Sequence, residues 1–379
     1  MRFKPFVALA ALAWAATVLP ASAQSPFPTR YALGTEFPAP TTLPNAVAFR
    51  LNNQGQAAGT GVYTKGTTTR LVFINGWPRL VTLPVERATA VAWKAGQPAL
   101  LKPLATNSAT SVHDINDTGW VVGDSFKSST AAKGYAVVWR DGNVTDLGAG
   151  LGSYAQYVNA QGWILGYRQT SSSNTTRQPF LWRNNRVDSL GTAPDSALYG
   201  NVDCVGLSDT GVVPCRRFIS TIEGVVSQSF VWSNGVFEAL SHPQATKIVV
   251  SAVSRNGIVA GLMALAGDVT TYGDPDRPFL WRNGQFTFLP RVPAGLLAHI
   301  LTVTDQGTLL VDITSVNLSR QEVWTASGQV VSPLSSLSLD SGDTVVRVHD
   351  LNDQGQLLAA VKRGASGAER QVLLTPAAP

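Results

Sequence analysis

The chain has 379 residues, a formal charge of +5, only 14 % charged residues, and 34 Gly with 22 Pro. Its basic residues are scattered, which excludes the dense cationic face of a nucleic-acid-binding protein. Abundant Val, aromatics and turn formers at this length suit a large all-β protein.

The N-terminus, MRFKPFVALAALAWAATVLPASAQ, has the layout of an export signal. Arg2 and Lys4 precede an apolar run from Phe6 to Leu19, and Ala21-Ser22-Ala23 supplies a small-x-small cleavage site. The expectation is a leader over 1–23, a single domain over 24–379, and a periplasmic or extracellular location. No Cys follows the cut, and no later segment reaches the roughly 18 apolar residues of a membrane span. Neither a lipid anchor nor a membrane span is expected.

One motif then recurs along the chain. LNNQG (51–55), INDTG (115–119), VNAQG (158–162), LSDTG (207–211), VSRNG (253–257), VTDQG (303–307) and LNDQG (351–355) are spaced 64, 43, 49, 46, 50 and 48 residues apart, Gly to Gly. Asn, Ser or Thr opens a turn by accepting a backbone N–H two residues on. Gly at the fourth position supplies a positive φ. The pattern predicts a type I turn with a G1 bulge between two strands. Apolar residues flank every turn, Ile115 and Val121 for example, and such pairs face one core.

A second unit follows each turn: AVAWKAGQPALL (90–101), AVVWRDGNVTDL (136–147), FLWRNNRVDSL (180–190), FVWSNGVFEAL (230–240), FLWRNGQFTFL (279–289) and VWTASGQVVSPL (323–334). Each is a hairpin with Trp before a tight turn. Trp93, Trp139, Trp182, Trp232, Trp281 and Trp324 therefore hold equivalent places, and six repeats of one aromatic at one place predict core. Two hairpins per period give four strands in roughly 45 residues, the size of a propeller blade.

The seventh repeat lacks a fourth strand after residues 371–374, and Tyr31-Ala32-Leu33-Gly34 matches the missing piece. The N-terminal strand near 30–35 is expected to complete the last blade. The fold expectation is an all-β propeller of seven four-stranded blades, closed so that no sheet edge stays free; an open β-solenoid is the alternative. One insertion interrupts the period, a hairpin over 71–83 on Asn75-Gly76, between the second and third strands of blade 1. It reads as an extension of the blade or as a protruding contact element.

INDTGWVVGDS (115–125), VVWRDGNVTDLG (137–148) and PFLWRNGQF (278–286) resemble the HAF-family extracellular repeats of bacteria, over nearly all of the mature chain. The His-Ala-Phe triplet of that family is absent, and its places read Tyr135-Ala136-Val137, Gln178-Pro179-Phe180 and Arg277-Pro278-Phe279. The resemblance implies an exported repeat protein and brings no catalytic residue to carry over.

Chemistry-bearing residues are sparse. His113-Asp114 and His349-Asp350 share one repeat position, but neighbours on a strand point to opposite faces, so neither pair is a preformed dyad. Gly123-Asp124-Ser125 resembles the opening of a GDS lipase, yet Gly59, Gly166 and Gly261 hold the place of Gly123, which makes it blade geometry first. No HExxH, CxxC or GxSxG is present. No catalytic residue and no cofactor is assigned. Asp268, Asp274 and Asp276 form an oxygen-rich loop that offers calcium a place, and an acidic surface turn explains it equally. Cys204 and Cys215 flank a turn in an exported chain, where a disulfide is permitted. A two-residue loop would oppose them, whereas the G1-bulge register sets Cys204 against Arg216.

The links between second and third strands vary from SFKSSTAAKG to LMALAGDVTTYGDPDR, whereas the turns on the opposite face are uniform. Variable loops on a rigid scaffold are where binding concentrates. The candidate contacts on that face are Trp77, Arg79, Phe126, Tyr167, Arg168, Arg216, Tyr272 and Arg277. The functional expectation is a secreted, monomeric binding module for an extracellular protein or glycan. The alternative is a carbohydrate-active or lyase-type enzyme working in the central channel, marked by Asp, Glu, His or Tyr gathered there.

Overall fold

The computed structural model describes residues 27–377 apart from 75–76, 128–130, 132, 170–176, 192–201, 222–223, 269–274, 333 and 365–366. Seven sheets stand around an axis, each with four antiparallel strands that we letter a to d, and the last gains a fifth, Ser338–Leu339, which pairs parallel with the N-terminal strand. Blade 2 sets the pattern with Ala109–Ile115, Val121–Phe126, Gly134–Arg140 and Asn143–Asp146. Neighbouring blades touch through their a strands, so these line the axis. The expected leader lies outside the described residues.

The turn chemistry is as the sequence predicts. In blade 2, Asn116 Oδ1 accepts from the backbone N of Thr118 and Trp120 at 3.1 and 2.9 Å, and Gly119 has φ 81°. In the blades that carry a hydroxyl instead, Ser208 accepts from Val212 N at 2.8 Å and Ser254 from Ile258 N at 3.0 Å.

A second bulge, on strand a two to three residues before the turn, was not legible. The register skips His113 between Val112 and Asp114, and the same skip recurs in blades 1, 3, 5, 6 and 7. This bulge offsets the extra residue of the turn. It drives strand a close onto strand b: a Cβ at Gly123 would lie 1.9 Å from Ser111 O, and one at Gly59 1.9 Å from Val47 O. In blades 1 and 2 the approach leaves no room for a side chain, whereas blades 4, 6 and 7 carry Cys215, Val311 and Ala359 at this place.

The ring closes through the N-terminus. Arg30–Glu36 pairs antiparallel with the chain's last strand, Glu369–Pro376, with Tyr31 opposite Pro376 and Leu33 opposite Leu374. Tyr31 is fully buried, and its hydroxyl donates to Gly355 O at 3.1 Å. Each core cluster is shared by two blades; Ala58 and Ala90 of blade 1 pack with Val112, Val121, Val137 and Trp139 of blade 2. Five of the six repeated Trp are buried, as expected, and Trp281 is only partly so. A buried indole N–H needs an acceptor. Trp93 finds Pro38 O and Trp139 finds Lys102 O, each at 2.7 Å.

Cys204 and Cys215 are disulfide-bonded and directly paired in the sheet. The one-residue offset expected from the G1 turn is corrected by the geometry upstream, which sets the fourth residue before each turn motif's polar residue opposite the fourth after its Gly.

The insertion in blade 1 is no separate hairpin. Strands b and c of blade 1, Ala57–Ile74 and Trp77–Lys94, stay paired from Ala57 opposite Trp93 to Ile74 opposite Trp77, with one bulge. Strand b is thus twelve residues longer than the six-residue strand b of blade 2. At about 3.3 Å per residue the extra length reaches roughly 40 Å.

Candidate functional site

Three tiers of polar side chains line the axis. On the turn side, Asn352 donates to Asn52 O, Asn52 to Asn116 O, Asn116 to Asn159 O and Asn159 to Ser208 O, at 2.8 to 3.1 Å. Each bond ties one blade to the next, from blade 7 through 1, 2 and 3 to 4. Ser208, Ser254 and Thr304 of blades 4, 5 and 6 lack the amide N–H2 and cannot extend the chain. Beside this ladder Arg255 of blade 5 reaches across the axis to Asp117 of blade 2 at 2.5 Å and Asp353 of blade 7 at 3.5 Å.

The second tier lies two residues earlier on strand a. Asp350 accepts from its own neighbour Leu351 N and from Leu51 N of blade 1, both at 2.9 Å. Asp114 does the same with Ile115 N and with Val158 N of blade 3, also at 2.9 Å. Arg50 occupies this place in blade 1 and donates to His113 O at 2.7 Å. Burial pushes Asp114 above the usual carboxylate range and Asp350 up to about 6, against the pull of Arg50. With Tyr157 these residues wall a chamber of about 180 Å³. Its carboxylates are committed to backbone amides and act as clasps between blades.

The third tier holds the dyad that the sequence hides. His113 Nε2 lies 2.8 Å from Asp124 Oδ2, which also accepts from Ser111 Oγ at 3.1 Å. His113 pairs across the sheet, not with Asp114, because the strand-a bulge turns it toward strand b. Burial raises the carboxyl of Asp124, and its Oδ1 is buried without a partner. The ring of His113 lies 6.1 Å from Tyr154, which stacks on Tyr167 at 5.2 Å. Ser125 is fully buried and accepts from Leu104 N and Asn107 Nδ2 at 3.0 Å, a structural hydroxyl. His349 makes no comparable pair; burial and Arg347 lower its pKa.

The residues expected on the b–c face divide. Tyr167 is not a surface contact: it is 3 % exposed, and its hydroxyl bonds the backbone N and O of Cys204 in blade 4. Arg216 bonds Asp203 at 3.1 Å and Val250 O of blade 5 at 3.1 Å, so it ties blades together. Arg277 grips both oxygens of Asp268 at 2.8 Å, and Arg291 holds Asp276 at 2.6 Å. Two of the three calcium candidates, Asp268 and Asp276, are thus paired with arginines. Arg277 holds Asp268 well below the usual carboxylate range and occupies its oxygens, and no trio of His, Cys, Asp or Glu among the described residues could hold a metal. Phe126 is half-buried against Gly134, and Arg168 lies 3.4 Å from Gln178 Oε1. Trp77 and Arg79 sit opposite Ile74 and Val72 in the extended arm. Tyr272 and Asp274 lie outside the described residues.

No protein-family model and no curated protein matches the chain. Solved structures do. The β-propeller domain of the Trilobed protease from Pyrococcus furiosus, which has an open velcro topology, aligns with TM-score 0.53 at 7 % identity, covering 86 % of this chain and 97 % of that one. TolB from Acinetobacter baumannii aligns with TM-score 0.36 at 11 % identity, covering 83 % and 80 %. The first likeness shows the propeller fold alone. Here the ring is closed by strand pairing between the two ends of the chain. No helix among the described residues is long and apolar enough to cross a membrane.

Proposed function

We propose that this propeller is an exported binding module that engages an extracellular protein or glycan through the b–c face. The HAF-like repeats and the signal-like N-terminus support export. The observation that carries the binding reading is the arm of blade 1. Its register sets Leu71 opposite Leu80, Phe73 opposite Pro78 and Ile74 opposite Trp77. A two-stranded ribbon standing alone is marginal in water, and of the eight residues paired over 71–74 and 77–80 all but Arg79 are apolar. A partner laid along the arm would supply the stabilisation that the ribbon lacks. Replacing residues 71–80 with Asn-Gly keeps Arg70 opposite Val81 and shortens the arm. Binding of the labelled chain to cell-surface fractions or a glycan array should then fall at least tenfold with the melting curve unchanged; undiminished binding overturns the reading.

A second reading rests on the His113–Asp124 pair. A His beside a buried carboxylate is equipped for proton transfer, and Tyr154 is adjacent. The carboxylates of the middle tier are already occupied by backbone amides, which is why binding stands first. Turnover on a panel of polysaccharides that disappears in His113→Gln would reverse that order.

A further inference from the structure

On the turn side, each pair of blades forms a groove between the c–d hairpin of one and the Trp of the next. In the groove between blades 2 and 3, Trp120 and Arg140 fill the space: the Arg140 guanidinium lies 4.4 Å from the Trp120 ring centre and 5.6 Å from that of Trp182. Between blades 3 and 4 the same places hold Trp163 and Arg183, 5.4 Å apart, and Asp188 holds Arg183 at 3.4 Å.

Between blades 4 and 5 both fillers are missing. The residue after the turn Gly, Trp120 and Trp163 in the sibling blades, is Val212. The residue after the hairpin Trp, Arg140 and Arg183 in those blades, is Ser233. The result is a cavity of about 420 Å³ lined by Val212, Ser233, Val236, Glu238 and Trp281. Glu238 stands opposite Val231 just as Asp188 stands opposite Leu181, so it holds the place of the carboxylate that anchors Arg183. Among the described residues Glu238 has no hydrogen-bond or ion-pair partner, and the Trp281 Nε1 has no acceptor. Trp281 is the repeated Trp that is left partly exposed, and Val236 beside it is 66 % exposed.

We infer that this groove receives an arginine side chain from a partner polypeptide. The two siblings each place a guanidinium in this groove, against the next blade's indole in one (Arg140 on Trp182) and against a carboxylate in the other (Arg183 on Asp188). Here Trp281 and Glu238 hold those two places, and the chain supplies no guanidinium between them. Cation–π and carboxylate contacts both favour Arg over a neutral group. The volume that Trp and Arg fill in blades 2 and 3 is open here and takes an apolar neighbour beside the arginine. The inference deepens the binding reading by naming a second contact and its chemistry. The groove lies away from the blade 1 arm, so short peptides test it separately.

The probe is the peptide Ac-Leu-Arg-amide, with Ac-Leu-citrulline-amide as its neutral isostere, followed by calorimetry and by the Trp281 indole N–H resonance. Saturable binding of the arginine peptide with a shift of that resonance is expected, weakened about tenfold for citrulline and about tenfold by Glu238→Gln. Val212→Trp with Ser233→Arg should rebuild the sibling filling and abolish binding, and Ser233→Arg alone gives the same block should the double variant fail to fold. No saturable binding, equal binding of the citrulline peptide, or full binding by the filled groove each overturns the proposal, and none of them bears on the arm.

Discussion

Asn116 does two jobs, and substitution separates them. Its Oδ1 accepts from Thr118 N and Trp120 N and shapes the turn, while its Nδ2 donates to Asn159 O of the next blade at 2.8 Å. Asn116→Ser keeps an acceptor, as Ser208 does in blade 4, and loses the donor. The carbonyl of Asn159 then keeps only its bond from Gly162 N, and the lost bond costs about 1 kcal/mol. Asn116→Ala loses the turn bonds as well, for roughly 1 kcal/mol more. Ser208→Ala, where no inter-blade amide bond exists to lose, should cost only the turn, about 1 kcal/mol. Urea midpoints of the three variants read the order directly: Asn116→Ala lowest, with Asn116→Ser and Ser208→Ala between it and the parent chain. If Asn116→Ser matched the parent chain, the ladder would contribute nothing of its own; if it fell as far as Asn116→Ala, the turn bonds would add nothing to the ladder.

Asp350 should give a distinct pH signature. Burial raises its folded pKa to about 6, above its unfolded value near 3.9. Its ionisation therefore opposes folding: the stability it allows is fully present below about pH 4 and is lost as pH rises through 6, on the order of 3 kcal/mol. The difference in stability between the parent chain and Asp350→Asn, followed from pH 4 to 7 in urea, should slope in that window, and a flat difference refutes the assignment. Asp268 works the other way. Its pKa is lowered by Arg277, so Asp268→Asn should matter near neutrality and lose its effect in acid, which the same titration reads. Reducing Cys204–Cys215 opens a short loop and should lower stability by about 2–3 kcal/mol; an unchanged urea midpoint after dithiothreitol, with both thiols titrated, would contradict this. Gly123→Ala should cost more than about 2 kcal/mol, since its Cβ would meet the Ser111 carbonyl at 1.9 Å, and a well-folded variant would place the strand-a bulge elsewhere.

The sequence by itself determined the repeat. Asx or hydroxyl turns, positive-φ glycines and a Trp before a tight hairpin are local chemistry, written within five or ten residues; the turn returns seven times and the Trp six at blade spacing. The closing strand at Tyr31 was legible for the same reason, because one unit was short at one end and matched at the other. The vacant groove was also in the letters: Val212 and Ser233 stand where two sibling blades carry Trp and Arg, and aligning the residue after each Gly and each Trp exposes it. Tertiary structure decided the rest. The second bulge leaves no residue signature, yet it turns His113 toward Asp124 and sends Asp114 and Asp350 to the axis. Tyr167 faces Cys204 and Arg255 crosses to Asp117 only once the ring has closed. A turn is chosen by its own residues; a side chain's partner across a blade boundary is chosen by the register and curvature of the whole ring.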